Sequence, residues 1–279
     1  MPELPEVEIA ARNLRGWALG RRIESASADE RARRIFRPEP PAAFEAAVRG
    51  RRVGEVRRKG KQILVRLDPP GRRGEPLGLI SHLGMTGKWL HRRAGEAPPS
   101  HSRARLQLEG GLTLHYHDPR LFGRLRLVPG ARFQEVPEVA ALGPDPLEDG
   151  VDLARLSSAL ARRHVAVKIA MLDQSLLPGV GNIQASEALF RARIDPRRRA
   201  SSLSRREVQR VVDAVLASLR ETIAREEGPE PHYVEEPGSE NPFSVYAREG
   251  ERCPRCRRDS LRRVVQGQRS TFFCPRCQR

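Results

Sequence analysis

Leu142-Gly143-Pro144-Asp145-Pro146-Leu147 divides the chain into two parts whose hydrophobic residues follow different periods. Two prolines beside a glycine cannot continue a helix or an interior strand. Before this stretch apolar and polar residues alternate in several short segments, whereas after it apolar residues recur every three or four positions. We therefore predict a domain boundary here, between a β-rich first domain and a helical second domain.

The first part contains segments in which every second residue is apolar, the pattern of half-buried antiparallel strands. They are residues 63–67, 105–109, 112–116 and 124–128. Polar stretches rich in Gly and Pro lie between them and are typical of surface turns. A helix precedes the strands, because Leu4, Val7, Ala11 and Leu14 form one apolar face.

The second part predicts several helices. Three short ones cover residues 153–163, 167–173 and 183–191. A longer one begins where Ser204 and Glu207 have the spacing of a capping box, and its apolar face runs over residues 208–223. Residues 226–244 are rich in Pro, Glu and Gly, which predicts a mobile loop.

The charge of the chain indicates a polyanionic partner. Lys and Arg number 51 against 35 Asp and Glu, a net charge of +16. Aromatic residues make up only 5%, which argues against a single-strand stacking platform and favours phosphate contacts to a duplex. The alternative is a solvated basic surface without a partner. The sequence has no apolar run of membrane-spanning length and no secretory leader, so we expect a cytoplasmic, nucleoid-associated protein without a membrane partner. We further expect a monomer.

The cysteines of the chain form two CxxC pairs, Cys253-Pro254-Arg255-Cys256 and Cys274-Pro275-Arg276-Cys277. Two such pairs at this spacing are a strong signal for one zinc ion held by four thiolates. Sulfur fills all four positions, so the zinc is expected to fold the tail and not to catalyse. Two disulfides are the alternative, which a cytoplasmic chain disfavours.

The amino terminus reads Met1-Pro2-Glu3, and removal of Met1 leaves a secondary amine beside a carboxylate. An α-amino group titrates at about pH 8 and lysine at about 10.4, so a terminal amine is more often neutral and nucleophilic at neutral pH. Its attack on an aldehyde or aminal carbon gives an iminium, from which eliminations follow easily. The alternative is that Pro2 only starts the first helix, with Glu3 and Glu6 favouring its positive end.

Several motifs, in this order along the chain, make the sequence similar to the bacterial formamidopyrimidine-DNA glycosylase family. They span residues 2–277. They are Glu3-Leu4-Pro5-Glu6-Val7-Glu8, His82-Leu83-Gly84-Met85-Thr86-Gly87, Asp118-Pro119-Arg120-Leu121-Phe122-Gly123, Pro178-Gly179-Val180-Gly181-Asn182, and the ribbon with Gln268-Arg269-Ser270-Thr271-Phe272-Phe273-Cys274. The start resembles this branch more than the related endonuclease VIII branch, whose members favour oxidised pyrimidines.

The resemblance implies an α+β multidomain fold. It consists of an N-terminal antiparallel β-sandwich with an N-terminal helix, a helix-two-turns-helix domain and a zinc-ribbon hairpin with four cysteine ligands. We place the catalytic sandwich at 1–135, a linker at 136–150, the DNA-binding domain with a lesion-covering loop at 151–245 and the zinc ribbon at 246–279. Duplex DNA is expected in the cleft between the domains.

The resemblance also implies a catalytic set. Pro2 attacks C1′ of the damaged nucleotide and Glu3 protonates the sugar ring oxygen. Lys61 approaches the phosphate of the lesion, and is preferred to Lys59 because the apolar strand begins two residues after Lys61. Arg269, near the tip of the expected hairpin, contacts a phosphate.

Further residues match the DNA contacts of the family. Two kinds are expected: side chains that enter the duplex where the damaged base leaves, and side chains that bind the backbone. The first kind comprises Met85, Arg120 and Phe122, and the second comprises Lys168 and Asn182; His101 is a further DNA contact. Asn182 also opens a helix after Gly179 and Gly181, where free N–H groups attract phosphate.

The expected activity is that of a bifunctional DNA glycosylase and abasic-site lyase. It excises 8-oxoguanine and formamidopyrimidines from duplex DNA by β,δ-elimination. Some positions depart from the family pattern: Leu121, Gln184, Ala247 and the segment 228–234, which lacks the usual Thr-Leu pattern in the covering loop. Two alternatives stay open, namely a glycosylase of the same fold that prefers oxidised pyrimidines and a non-catalytic damage-binding paralogue.

Overall fold

The structure is a computed structural model, and it describes residues 2–71, 73–230, 233–234, 236 and 238–279. By its internal contacts the chain forms two compact units. The first comprises Met1–Ala140 with Glu226–Tyr233, and the second comprises Ala141–Arg225 with Val234–Arg279.

Among its described residues, the first unit contains two antiparallel four-stranded sheets and three α-helices. In chain order its elements are α1 (Leu4–Ala18), β1 (Ile23–Ala28), α2 (Pro41–Val48), β2 (Arg52–Lys59), β3 (Gln62–Asp68), β4 (Leu77–His82), β5 (Lys88–Arg93), β6 (Ser102–Leu108), β7 (Leu112–His117), β8 (Arg124–Pro129) and α3 (Pro137–Ala140). A short 3-10 helix, Glu30–Ile35, follows β1. The strand orders are β1-β6-β7-β5 and β2-β3-β4-β8.

The two sheets share one core and form the expected β-sandwich. Val56 and Ile63 from one sheet and Leu106 and Tyr116 from the other belong to a single buried cluster, together with Leu14 of α1. Burial of a large aliphatic side chain contributes about 2 kcal/mol, so the apolar face of α1 fixes the helix on the sandwich. The chain ahead of α1 is thereby held against this unit.

The second unit is helical, with a terminal hairpin. Its elements are α4 (Leu153–Ala161), α5 (Val167–Met171), α6 (Asn182–Ala192), α7 (Arg205–Glu226), β9 (Arg262–Gln266) and β10 (Arg269–Phe273). The expected capping box is present ahead of α7, where the backbone N–H of Ser204 donates to Glu207 Oε2 at 2.8 Å and Ser204 Oγ accepts from the N–H of Glu207 at 3.3 Å. The architecture is the α+β fold that the motifs imply.

Buried polar contacts hold the α6 region together. The Glu187 carboxylate, 2% exposed, accepts the backbone N–H groups of Ser244, Val245 and Tyr246 at 2.9 to 3.0 Å. Gln184 donates to Thr222 Oγ1 at 3.1 Å. Gln184 departs from the family pattern at this position, and its hydrogen bond to Thr222 links α6 to α7.

Two other departures from the family pattern lie where the backbone is left-handed. Leu121 has φ +57° and Ala247 has φ +58°. A side chain costs about 1 kcal/mol or more in this region, which explains why glycine is customary at position 247. Within the described residues, no helix combines the length and apolar character that crossing a membrane requires.

Candidate active site and nucleic-acid interface

The amino terminus lies directly ahead of a capped helix. Pro2 is buried and precedes the N-cap residue Glu3, while the helix itself begins at Leu4. The Pro2 nitrogen therefore lies outside the first helical turn, in which Pro5 is the proline.

Glu3 forms a capping box with Glu6. Its carboxylate accepts the backbone N–H of Glu6, and Glu6 Oε2 accepts the backbone N–H of Glu3 at 2.7 Å. Glu3 is 1% exposed and Glu6 is 6% exposed. Two hydrogen bonds thus fix the backbone that carries the Pro2 nitrogen, and they place one carboxylate on the residue next to it.

The carboxyl group of Glu6 carries an unusual charge state. Burial, followed by the nearby carboxylates of Glu226 and Glu3, raises the pKa of Glu6 from 4.5 to about 8. Glu6 is therefore mainly protonated at neutral pH. This relieves repulsion among the three acidic groups and leaves Glu3 beside a neutral neighbour.

We expect the stability of the protein to fall as the pH rises from about 4.5 to 8 because of Glu6. In that window the folded state holds a proton that the unfolded chain has lost, so the contribution is complete below pH 4.5 and is lost through pH 8. Glu6→Gln should therefore gain stability relative to the wild type between pH 5.5 and pH 8. Urea unfolding at the two pH values measures this difference.

Glu8→Gln is the matched control on the same helix. Burial would raise the pKa of Glu8, but hydrogen bonds from Arg58 and Arg12 lower it below its usual range. Its contribution is present above the unfolded value and is lost only as the pH falls through the folded one. Glu8→Gln should thus lose the same free energy at pH 5.5 and pH 8. Parallel curves for wild type and Glu6→Gln would contradict the prediction.

Lys61 lies in the two-residue turn between β2 and β3, next to Gly60 at φ +57°. β3 begins at Gln62, one residue after Lys61 and one residue earlier than the apolar pattern predicts. Arg58, 2% exposed, donates to Glu8 Oε2 of α1 at 2.8 Å and to the carbonyl oxygen of Gly60 at 3.2 Å. Arg58 therefore fastens the turn of Lys61 to the helix that follows Pro2.

His82, to which the sequence motifs assigned no function, ends β4 close to this turn. In the sheet register it pairs with Gln62 and Arg124. Burial, with Lys61 and Arg124 nearby, lowers its pKa to about 4, so the ring is neutral. Nδ1 accepts the N–H of Gly84 at 3.0 Å, which leaves the proton on Nε2. Its position opening the His82–Gly87 motif was the available signal.

Met85, Arg120 and Phe122 lie on two adjacent loops. The Asp118 carboxylate, fully buried, accepts Thr86 Oγ1 at 3.0 Å from the first loop and the N–H of Gly123 at 2.7 Å from the second. The loops approach so closely that a Cβ on Gly84 would clash with the backbone carbonyl of Phe122. The structure therefore brings the three residues together.

Their exposure differs. The ring of Phe122 is 51% exposed, which is unusual for an aromatic side chain. Arg120 is exposed and Met85 is partly exposed. An exposed ring and an arginine on a loop fixed by a buried carboxylate suit insertion into a base stack.

His101 reaches the same region through its backbone. Its carbonyl oxygen accepts the N–H of Asp118 at 3.1 Å, and its ring lies edge-on to His117 at 5.9 Å. The residue is exposed, with φ +52°. The imidazole is thus available to a ligand, at the edge of the Asp118 loop.

A second cluster of predicted residues lies in the second unit. Lys168 is fully buried, and its Nζ donates to Asn182 Oδ1 at 2.5 Å, to Thr271 Oγ1 at 2.7 Å and to the carbonyl oxygen of Ser270 at 3.1 Å. Asn182, the first residue of α6, also donates to the carbonyl oxygen of Ser270 at 3.0 Å. Lys168 therefore joins the start of α6 to β10, an arrangement that spacing did not reveal.

Arg269 begins β10 beside the hairpin tip. The turn residues Gly267 and Gln268 have φ +53° and +61°, as in a tight two-residue hairpin. Arg269 is exposed and pairs across the hairpin with Gln266. One residue further on, Ser270 is bound by the Lys168 and Asn182 side chains, so the three predicted phosphate contacts are neighbours.

The four cysteines meet in the tail. Their sulfurs all lie within 4.8 Å of one another, and the Cys253–Cys277 and Cys256–Cys274 pairs are each 3.8 Å apart. A disulfide would need about 2.05 Å, whereas a tetrahedron with Zn–S bonds of about 2.3 Å has edges of about 3.8 Å. The residues therefore fit one structural zinc and not two disulfides.

A β-sandwich, a helical unit and a hairpin with four clustered cysteines, in this order, define a zinc-finger protein of the helix-two-turns-helix class. Profiles of known families match the chain in the same order. The formamidopyrimidine-DNA glycosylase N-terminal domain matches residues 1–125, the H2TH domain of these glycosylases matches 142–230, and the zinc finger found in FPG and IleRS matches 250–279.

Relatives match over the full length. A formamidopyrimidine-DNA glycosylase from Desulfitobacterium hafniense is 39% identical over 289 residues, covering 100% of both chains. Its counterpart from Thermus thermophilus is 39% identical over 287 residues, covering 100% of this chain and 98% of the relative. The chain therefore belongs to the formamidopyrimidine-DNA glycosylase family, a family of DNA-repair glycosylases.

Solved structures agree. The MutM (Fpg) protein of Thermus thermophilus superposes with a TM-score of 0.80 at 38% identity, covering 99% of this chain and 98% of that one. Lactococcus lactis Fpg in complex with DNA containing an abasic site gives a TM-score of 0.85 at 26% identity, covering 99% of each. A MutM complex with DNA containing carbocyclic 8-oxo-G gives 0.85 at 27%, covering 100% of each.

Proposed function

We propose that this protein is a bifunctional DNA glycosylase and abasic-site lyase that excises oxidised purines, 8-oxoguanine and formamidopyrimidines, from duplex DNA. The observation that carries the proposal is the placement of Pro2 ahead of a capped helix start, with the buried carboxylate of Glu3 on the next residue. Once Met1 is removed, a secondary amine is available there beside an acid.

The chemistry begins with attack of the Pro2 nitrogen lone pair on C1′. The bond from C1′ to the base breaks, and the base leaves with its electron pair and takes up a proton. The Glu3 carboxylate takes the N–H proton from the resulting Pro2 ammonium and passes it to the ring oxygen as the C1′–O bond breaks, so the nitrogen lone pair forms the C1′=N bond of an iminium. Loss of a proton from C2′ then expels the 3′ phosphate, and a second elimination expels the 5′ phosphate.

We assign to Lys61 and His82 the contacts to the phosphate backbone of the lesion. Lys61 supplies a cation, and the neutral ring of His82 supplies an N–H donor. In this scheme Pro2 attacks C1′, and neither Lys61 nor His82 acts as a nucleophile. The hydrogen bonds of the buried Arg58 to Glu8 and Gly60 hold the turn that carries Lys61 against α1.

DNA binding draws on both units. In the first, Met85, Arg120 and Phe122 fill the gap that the extruded nucleotide leaves, a step that costs a few kcal/mol of lost stacking. In the second, Asn182 and Arg269 contact phosphates, and Lys168 supports them from inside. Structural neighbours in complex with DNA containing an abasic site or carbocyclic 8-oxo-G support this assignment.

The covering segment is the place where lesion preference is decided. Asn13 Nδ2 donates to the carbonyl oxygen of Gly228 at 2.7 Å, Arg92 pairs with Glu230 at 2.7 Å and Tyr233 Oη donates to the carbonyl oxygen of Gly87 at 2.7 Å. The departure from the family pattern also covers Pro231 and His232, which lie outside the described residues.

We expect duplex DNA with 8-oxoguanine opposite cytosine to be cleaved at least tenfold faster than the same duplex with thymine glycol opposite adenine. Single-turnover rates with the Met1-free protein, measured side by side, test this preference. A faster rate on thymine glycol would assign the protein to oxidised pyrimidines. Binding of both duplexes without cleavage of either would instead identify a damage-binding protein.

A further inference from the structure

Arg34 contacts the loop that carries Phe122. It lies in the 3-10 helix Glu30–Ile35, and the Nε and Nη2 atoms of its guanidinium donate to consecutive carbonyl oxygens of that loop. Nε donates to Leu121 at 2.5 Å and Nη2 donates to Arg120 at 2.6 Å. One planar group thus binds two neighbouring peptide units, a geometry that arginine provides and lysine does not.

The bound loop has a backbone that needs support. Leu121 has φ +57°, where a non-glycine residue is strained by about 1 kcal/mol or more. From inside, the buried Asp118 carboxylate accepts the N–H groups of Arg120 at 3.3 Å and Gly123 at 2.7 Å. From outside, Arg34 binds the carbonyl groups. The left-handed turn is therefore held on both its N–H and its C=O sides.

Arg34 also contacts the ring that the turn presents. Its guanidinium carbon lies 5.2 Å from the centroid of the Phe122 ring, and that of Arg120 lies 5.1 Å from it. Both distances are within the range of cation–π attraction. The ring is half exposed, so both cations contact a ring that solvent can also reach.

We propose that Arg34 is a positioning residue for base extrusion: it fixes the Arg120–Gly123 turn and the ring of Phe122 in the conformation that enters the duplex. The inference rests on the proposed function, since it assigns Phe122 to the gap left by the damaged nucleotide. Arg34 does not touch the reacting atoms. It acts by keeping the inserting ring ordered before DNA arrives, so that little conformational entropy is lost on binding.

The test compares Arg34→Ala and Arg34→Lys with Arg33→Ala. Arg33 is the matched control, because it is an exposed arginine of the same short helix whose ion pair is with Glu30 at 3.6 Å. Single-turnover excision of 8-oxoguanine from duplex DNA should fall about tenfold or more in both Arg34 variants and remain near wild type in Arg33→Ala. Cleavage at an abasic site in single-stranded DNA, where there is no base stack to open, should be unchanged in all three.

A second readout needs no DNA. Hydrogen exchange of a peptide covering residues 118–124 should accelerate in both Arg34 variants and not in Arg33→Ala. Equal exchange in all variants would overturn the proposal, and so would full activity of Arg34→Lys on the duplex. If the wild-type protein cleaves neither DNA, the proposed function fails, while the exchange comparison still decides whether Arg34 orders the turn.

Discussion

Protein that retains Met1 is expected to form no covalent complex when borohydride is added to its mixture with 8-oxoguanine duplex, whereas Met1-free protein forms one. The reason is the state of the Pro2 nitrogen. With Met1 attached it is a tertiary amide without a nucleophilic lone pair, and without Met1 it is a secondary amine. Borohydride reduces the iminium to a stable amine, so the trapped band on a denaturing gel measures the reaction directly.

The two forms differ by one residue and serve as controls for each other. Intact-mass spectrometry establishes which form is present, and peptide mapping of the trapped band should place the added sugar on Pro2. Binding to an uncleavable abasic-site duplex should remain within a few-fold of the Met1-free protein. Equal trapping by both forms, or an adduct mapped to Lys61, would overturn the assignment of Pro2.

Removal of zinc is expected to unfold the tail and to weaken duplex binding at least tenfold. Structural zinc contributes about 10 to 16 kcal/mol in zinc-finger peptides, which is as much as the whole stability of a typical domain. The hairpin that carries Arg269 would lose its order. The Lys168 ammonium would at the same time lose its acceptors on Ser270 and Thr271.

Cys256→Ala is the variant for this experiment and Ser260→Ala is its control, since Ser260 is an exposed residue close to the same ligand. Fluorescence anisotropy with an 8-oxoguanine duplex gives the affinity, and limited proteolysis reports order in residues 246–279. Zinc added back should restore the chelated wild type and leave Cys256→Ala unrestored. Unchanged affinity after complete loss of zinc would contradict the prediction.

The fold could be predicted where local pattern and tertiary environment agree. The alternating strands near residues 63, 105, 112 and 124 and the helices of the second part all appear in the structure, with ends that differ by up to three residues. The sequence pattern did not predict β4, because both its faces are buried and its apolar and polar residues do not alternate. The pattern did not predict β2 either, because a bulge near Val53 and Glu55 interrupts the alternation of its buried and exposed residues. The domain boundaries stay predictions.

The candidate site was predictable only in part. Residue types with a chemical signature, such as the four cysteines and the terminal proline, are visible in the sequence. His82 was quoted as the start of a motif but was given no function, because the sequence does not show the burial or the hydrogen bond that set its charge and tautomer. Arg34 and Arg58 were likewise overlooked, because their function depends on groups far away in sequence. Contacts of this kind exist only after the sheets have assembled.

The buried ammonium group of Lys168 has a consequence for recognition. It binds Asn182 at the start of α6 and the β10 residues that follow Arg269. The distance between Asn182 and Arg269, which we propose as phosphate contacts, is therefore set before any ligand arrives. A duplex whose phosphates match that spacing binds to a ready template, whereas one with a distorted backbone must be reshaped to fit. Under the proposed function, the second unit would therefore favour a regular DNA backbone without contacting a base.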